Sequence, residues 1–327
     1  MQPRELATLK QQGKTWAEVG AIAGISEHAA RFRVYRLRNE QRSAPAIHIV
    51  QPETVDEQRW QDTLHDLRNN KRYITVSHLC DVHAPLQHHA ALQLTYRLLE
   101  QKQPDVIVVG SDTADFSVIS TFDPDPDDYE MVEDALDEFG SHWRPHIDAV
   151  KQAAPNATLV FIMGNHEARI YKHVHKNAPK LRRTIERAWV DTVSYGGRVL
   201  WLGNVPEVEI GSLLVKHGDR VNEHVAKSLL EVESYQMNVM AGHVHRANTY
   251  TRAGRRYTVT GVTSGCLCDL HPKYLKGSRP KLGWTLGTAF VVTDLQGTET
   301  FIDNLVYQQT VQGLMVLSDG NLYQEAA

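Results

Sequence analysis

Only three cysteines occur in the 327 residues of this chain, Cys80, Cys266 and Cys268. A sparse, odd count excludes a disulfide framework as the source of stability and fits a reducing compartment. Long apolar runs are also missing. No stretch approaches the ~20 residues needed to span a bilayer. The start, Met1-Gln2-Pro3-Arg4-Glu5, lacks the apolar core of a signal peptide. These absences predict a soluble, cytoplasmic protein with no membrane partner. Excess charge is missing as well: the net charge is -4, so the protein as a whole is not a polycation. No internal repeat is visible. What is present is 42% apolar residues, enough for a sizeable core in one large domain and a small one.

The charge is uneven. Residues 1–42 hold eight Lys/Arg against four Asp/Glu, a net of +4, which leaves 27 against 35, a net of -8, for the rest. An anion-binding appendage on an acidic body has this signature. Three short helices are expected in residues 4–40. Leu6 and Leu9 mark the first. Thr15-Trp16-Ala17-Glu18 has capping-box form and opens the second, with Trp16, Val19, Ile22 and Ala23 on one face. Gly24-Ile25 makes a turn. Ser26 caps a third helix, on which Ala30, Val34 and Leu37 recur at helical spacing. The pattern resembles a helix-turn-helix module of the kind found in sigma factors and recombinases. That resemblance implies DNA as a partner, with His28, Arg31, Arg33 and Arg36 facing bases and phosphates. The competing reading is a helical protein-interaction arm with a solvated arginine face.

Ser43, Pro45 and Pro52 mark a linker, and residues 55–69 read as a docking helix with Val55, Trp60, Leu64 and Leu67 in a stripe, giving a linker-and-helix segment over 43–70. From Lys71 strands and helices alternate, as in an α/β domain: Tyr73–Val76, Ala90–Glu100, Val106–Val109, a long helical region, then Leu159–Met163. Beyond residue 195 the runs are shorter and mostly β, ending with Thr300–Val306, and residues 311–327 read as a C-terminal tail. Residues 122–139 carry nine acidic side chains, read either as a solvated loop and helix or as an anion-repelling flap.

Five polar clusters stand at the ends of predicted strands: Asp81-Val82-His83, Gly110-Ser111-Asp112-Thr113-Ala114-Asp115, Gly164-Asn165-His166-Glu167, His217-Gly218-Asp219 and Gly242-His243-Val244-His245. Loops at the carboxyl ends of strands converge on one crevice. Glycine beside a polar residue allows tight turns there. Together the clusters offer carboxylate, amide and imidazole donors, a mixed N/O set suited to borderline divalent metals such as Mn, Fe, Zn or Ni.

In this order the five clusters resemble the calcineurin-like metallophosphoesterases, over roughly residues 71–310. One departure is visible: the family's second motif is usually Gly-Asp-x-x-Asp, and here Ser111 follows Gly110. The resemblance implies a four-layer αββα sandwich preceded by the small all-α domain of residues 1–42, and includes phage-type members. It implies two divalent metal ions, Mn foremost. Asp81, His83 and His245 would hold the first and Asn165, His217 and His243 the second, with Asp112 bridging. His166 would face the phosphate and protonate the leaving oxygen, oriented by Asp115. Arg169 and Arg246 are read either as bidentate phosphate clamps or as surface arginines.

The implied reaction is phosphodiester hydrolysis in nucleic acid by in-line attack of a hydroxide held between the two ions. Two other readings stand beside it: a small-nucleotide phosphodiesterase or phosphatase with a regulatory or localising N-terminal module, and a non-enzymatic DNA-binding regulator. His88, His89, His173 and His175 read as solvated, His78 as packed, and Cys266 and Cys268 as small buried hydrophobes sharing one face of a strand.

Overall fold

The computed structural model describes residues 5, 8, 9, 12, 14–23, 55–116, 119, 132–222, 224–254, 258–272, 283–297 and 299–326. The chain divides into two units, Met1–Pro52 and Glu53–Ala327. In the first unit, α1 spans Trp16–Ala23. Its capping box is formed: Glu18 N–H donates to Thr15 Oγ1 at 3.3 Å, and Thr15 N–H donates to the Glu18 carboxylate at 2.7 Å. Each side chain thus satisfies a backbone donor that the first helical turn leaves open. The expected third helix, with His28, Arg31, Arg33 and Arg36, lies outside the described residues.

The second unit opens with α2 (Val55–Asn70), whose Trp60 and Leu64 are buried, as the predicted stripe requires. Then follow β1 (Tyr73–Leu79), α3 (His89–Lys102), β2 (Val106–Gly110), α4 (Val132–Ala153), β3 (Thr158–Ile162), α5 (Ala168–Asn177), α6 (Arg182–Ser194) and β4 (Leu200–Trp201). The chain continues through β5 (Glu207–Ile210), β6 (Leu213–Lys216), α7 (Val225–Val232), β7 (Asn238–Ala241), β8 (Ala247–Ala253) and β9 (Thr258–Ser264). It ends with β10 (Gly287–Asp294), β11 (Thr300–Val306), β12 (Gln308–Thr310), β13 (Gly313–Ser318) and β14 (Asn321–Glu325). No helix among the described residues is long and apolar enough to cross a membrane.

The fold is mixed α/β. One sheet runs β11-β10-β1-β2-β3-β4, with β1 to β4 parallel and β10 and β11 antiparallel to their neighbours. A second runs β5-β6-β7-β9-β8. Successive strand side chains point to opposite faces, and the parallel strands divide their apolar residues accordingly. Val106, Val108, Val160 and Ile162 join Ile210, Val215, Met240 and Val262 of the second sheet in one core. Ile107, Val109, Leu159 and Phe161 face the other way, against Leu94 and Leu98 of α3, Trp143 of α4 and Trp189 of α6. Beyond the second sheet, Val225 and Leu229 of α7 cover Val239 and Val259. The order is therefore helices, sheet, sheet, helix. Strands buried on both faces read as unbroken apolar runs, which is why Val106–Val109 carries no alternation in its sequence.

The residues read as a C-terminal tail instead form strands β13 and β14, in a three-stranded antiparallel sheet with β12. Leu314 and Val316 are buried in the helix-side core, and Arg97 of α3 pairs with Glu325 at 2.7 Å. Apolar residues two apart are enough to seat a short strand, but in a stretch this polar they gave no strong signal. A smaller correction concerns Cys266 and Cys268. They lie beyond the end of β9, in isolated bridges to Leu286 and Gln87, and both are buried.

Phe161 is fully buried among Trp143, Trp189 and Trp201. Phe161→Ala leaves a large cavity there, so urea denaturation should show a loss of about 3–5 kcal/mol. An unchanged urea midpoint would contradict this packing.

Candidate metal centre

The motif loops converge because β1, β2 and β3 are parallel and end at one edge. The loops after β1 and β2 run on side by side past the sheet. Asp81, His83 and Ala84 donate their N–H groups to the carbonyls of Ser111, Asp112 and Thr113 at 2.9, 3.0 and 2.7 Å. To aim their side chains into one space the loops take left-handed backbone. Asp81, His83, Ser111, Asp112, His243 and His245 all have φ between 51° and 73°. Asp and His tolerate this region better than most residues, yet each such position costs roughly 1–3 kcal/mol that its surroundings must offset. Two motif glycines are needed for close approach. A Cβ on Gly164 would overlap the carboxylate and backbone of Asp112, and one on Gly242 would overlap Asp81 and Cys80.

Two groups of donor atoms result. In one, His83 Nε2 and His245 Nε2 face each other at 3.2 Å, and His245 Nε2 lies 3.2 Å from Asp81 Oδ1. In the other, His217 Nε2 is surrounded by Asn165 Oδ1 at 2.8 Å, His243 Nδ1 at 2.9 Å and Asp112 Oδ2 at 3.3 Å. Asp112 belongs both to a set with His217 and His243 and to one with His83 and His166. It stands between the two groups. All the seven sequence-predicted donors are thus brought together.

The family model for calcineurin-like phosphoesterases matches residues 74–247, more than half of the chain. The chain belongs to that family. It is therefore a metal-dependent hydrolase of phosphoric esters. No curated protein matches the chain.

The electrostatics of this phosphoesterase suit cations. Burial pushes the imidazoles of His83 and His217 down to about 4 and about 3, so both are neutral at pH 7 and keep a lone pair to give. Burial alone would raise Asp81, but His245, His217 and His83 outweigh it and hold the carboxyl below its usual range. Asp112 is pushed well above its usual range by burial, with the Glu167 and Asp81 carboxylates adding to the rise. Two imidazole nitrogens 3.2 Å apart beside the Asp81 carboxylate, and a buried Asp112 carboxyl that burial makes hard to ionise, are a donor set that a positive ion between these atoms would stabilise. The residues present therefore fit divalent metals, the cofactors that this family uses.

The side chains that hold these donors in place are only partly legible in the sequence. Glu167 is fully buried, and its carboxylate accepts from four backbone N–H groups: Gly164 at 2.8 Å, Asp112 at 3.1 Å, Thr113 at 2.6 Å and Ala114 at 3.2 Å. Its place directly after His166 was the available signal. Ser111 Oγ lies 2.7 Å from His217 Nδ1 and fixes that ring. Trp284 packs on His245, ring centroids 4.1 Å apart, while Cys268 Sγ lies 3.8 Å from the same ring's Nδ1.

Asp115 Oδ1 lies 3.1 Å from His83 Nδ1 and 3.3 Å from His166 Nδ1. Burial would raise this carboxyl, but hydrogen bonds from both imidazoles hold it below the usual range. His166 Nδ1 also lies 2.7 Å from the Asp115 carbonyl. Arg169 bonds that carbonyl through Nη1 at 2.9 Å and reaches His166 Nε2 through Nη2 at 2.9 Å. Arg246 runs beside Gly283. His88, read as solvated, is half-buried and caps α3 by accepting from Ala91 N–H at 3.3 Å.

Glu167→Gln keeps the shape but turns an all-acceptor group into one that presents N–H to N–H. The melting temperature should fall by the equivalent of about 1–3 kcal/mol. Metal affinity, read by calorimetry, should weaken roughly 10–100-fold, because the loop that carries Asp112 loses its anchor. Wild-type values for both would rule out this anchoring role.

Proposed function

We propose that this phosphoesterase cleaves phosphodiester bonds in nucleic acid. Asp81, His83 and His245 would hold one divalent ion, Asn165, His217 and His243 a second, and Asp112 both. The observation that carries the reading is the pair of donor groups sharing Asp112. The mixed nitrogen and oxygen set suits Mn, Fe, Zn or Ni, with Mn the first to test. When bound, such ions supply Lewis acidity toward phosphoryl oxygens and toward water.

The remaining steps belong to the chain's own side chains. His166 is the general acid that protonates the leaving oxygen; its Nδ1 lies 2.7 Å from the Asp115 carbonyl and its Nε2 2.9 Å from Arg169 Nη2. A guanidinium has only donors, so His166 Nε2 accepts from Arg169, and Nδ1–H donates to the Asp115 carbonyl. In this state the ring is neutral. An arriving phosphoryl group offers Arg169 a better acceptor. Once Arg169 turns to it, Nε2 is free to carry the proton that the leaving group needs. Burial disfavours charge on His166, but Asp115 and Asp112 outweigh it and raise the pKa, which favours this protonation. Asp115 orients the ring throughout. The basic residues 1–42, with their formed capping box, support nucleic acid as substrate, and His28, Arg31, Arg33 and Arg36 are the proposed contacts.

Chelation should abolish hydrolysis of a generic phosphodiester and Mn should restore it. Asp112→Ala should be the most damaging ligand change, since it removes a bond to both ions. Full activity in the chelated protein and in Asp112→Ala would sink the two-metal reading. His166→Ala should keep its metal content and lose roughly 10²–10⁴ in kcat on poor leaving groups, and less on an activated aryl ester.

Deleting residues 1–42 should leave a small diester's hydrolysis nearly unchanged while DNA affinity falls. Each lost phosphate contact should take about 0.9 from the log–log salt slope on duplex DNA. If the full chain binds no DNA or RNA in a salt-sensitive way, a small-nucleotide phosphodiesterase replaces the nucleic-acid reading.

A further inference from the structure

The two helices that follow the His166 loop carry a charge unlike the rest of the chain. Residues 168–187 hold seven Lys/Arg against one Asp/Glu, a net of +6, while everything outside them holds 28 against 38, a net of -10. These charges are placed in order. On α5, Ile170 and Val174 are buried in the helix-side core, and Lys172 and Lys176 are exposed on the opposite face. With Arg169 they stand at i, i+3 and i+7, one stripe about 10 Å long at 1.5 Å per residue. The stripe begins at the metal centre, because Arg169 reaches His166 Nε2 at 2.9 Å. The turn at Pro179–Leu181 then exposes Lys180. On α6, Trp189 and Val193 are buried, and Arg183 and Arg187, four apart, are exposed away from them. α6 packs on α5, so the two stripes lie on neighbouring helices.

An ordinary solvated helix face mixes its signs. α2 does so: acidic and basic side chains alternate along it, and Arg59 pairs with Asp56 at 2.8 Å. By contrast, Lys172, Lys176, Lys180, Arg183 and Arg187 make no ion pair among the described residues. The one acid of the segment, Glu186, is taken by Arg182 at 2.7 Å. Like charges four apart on a helix repel, as Lys172 and Lys176 do, and Arg183 and Arg187. Arg182 and Arg183 also stand in the first turn of α6, where the helix dipole disfavours cations, and no acid in that turn offsets them. A polyanion laid across these helices would relieve each of these costs.

The kind of polyanion follows from where the stripe starts. A phosphate next to one held at the metal centre would lie toward Arg169, and phosphates further along the same chain would meet Lys172 and Lys176 in turn. No Trp, Tyr or Phe is exposed on α5 or α6 to stack on bases, since Tyr171 packs on the core and Trp189 is buried. Such a surface holds phosphates and reads no sequence.

We infer that the outer faces of α5 and α6 form a track for a nucleic-acid strand, gripping the phosphates on one side of the bond to be cleaved. The track belongs to the catalytic unit and is additional to the basic residues 1–42. It rests on the nucleic-acid reading above for the identity of the polyanion; the charge pattern itself does not.

The test uses the full chain in excess chelator, with a fluorescent oligothymidylate long enough to run along both helices. The variant carries Lys172→Gln, Lys176→Gln, Arg183→Gln and Arg187→Gln, and Arg169 is left in place. Each lost contact takes about 0.7 from the log–log salt slope on a single strand, so the slope should flatten by about 2–3. A matched variant with Lys172→Arg, Lys176→Arg, Arg183→Lys and Arg187→Lys keeps the charges and should bind as wild type does. Both are read again in a chain with Arg31→Gln and Arg33→Gln, so that the N-terminal arginines do not mask the change. With Mn restored, the glutamine variant should raise KM for the oligonucleotide roughly tenfold at unchanged kcat, the mark of binding lost equally from ground and transition states. A thymidine dinucleotide has no phosphate beyond the scissile one and should keep its KM. Thermal melts check folding, and acetylation of the wild-type chain needs no variant at all. The oligonucleotide should shield Lys172, Lys176 and Lys180 from acetic anhydride, read by mass spectrometry, and leave Lys71, before the start of β1, as reactive as before.

The track is refuted if a folded glutamine variant keeps the wild-type slope and KM, or if the three lysines stay unshielded. Binding that these substitutions weaken for anionic phospholipid vesicles and not for the oligonucleotide refutes it as well. If oligonucleotide binding falls as expected and no nucleic acid is cleaved, the track stands and the nucleic-acid hydrolase fails. If nucleic acid is cleaved and the variant behaves as wild type, the reverse holds.

Discussion

The carboxylate of Glu167 is the fixed point of this site. It gathers the N–H of Gly164 from its own loop and those of Asp112, Thr113 and Ala114 from the neighbouring one. A buried carboxylate is costly unless its lone pairs are filled, and backbone donors are the steadiest partners available because they cannot rotate away. The reward is positional. Asp112, which both donor groups share, is held by its own backbone rather than by a loop free to drift. His166 N–H adds a bond to Asp112 Oδ1 at 2.8 Å, so the loop after β3 grips the side chain as well as the main chain. The same logic recurs at the opposite side, where both oxygens of Asp81 accept from His243 N–H.

Much of this was legible in the sequence because the site is built at the ends of strands. Apolar runs such as Val106–Val109 announce buried strands, and the polar clusters follow each of them directly. Packing of the two sheets face to face then brings residues more than a hundred positions apart, such as Ser111 and His217, into contact. Local signals with a physical mechanism also held: the Thr15–Glu18 capping box formed as its spacing requires.

What was hidden depended on partners far away in the chain. Glu167 looks like any acidic residue at a helix start until the loop after β2 is folded over it. Nothing in the spacing of Gln87, Tyr96, His142 and His146 foretells that two helices will bring them around one cavity. The strands β13 and β14 were missed for the same reason. Their burial rests on Leu314 and Val316 meeting a core assembled mostly from residues before position 310.

The residue at position 111 shows how a sequence can leave its family's pattern without leaving its geometry. Glycine usually stands immediately before the metal-loop aspartate, and the backbone here, at φ 61°, is one that glycine adopts without penalty. Serine accepts the less comfortable conformation and in return its hydroxyl holds the imidazole of His217. Freedom of the main chain has been exchanged for orientation of a side chain in another loop. The two positions are therefore energetically linked: without the imidazole at 217 the hydroxyl at 111 would lose the bond that offsets its backbone strain, and glycine would be the less costly occupant of that conformation.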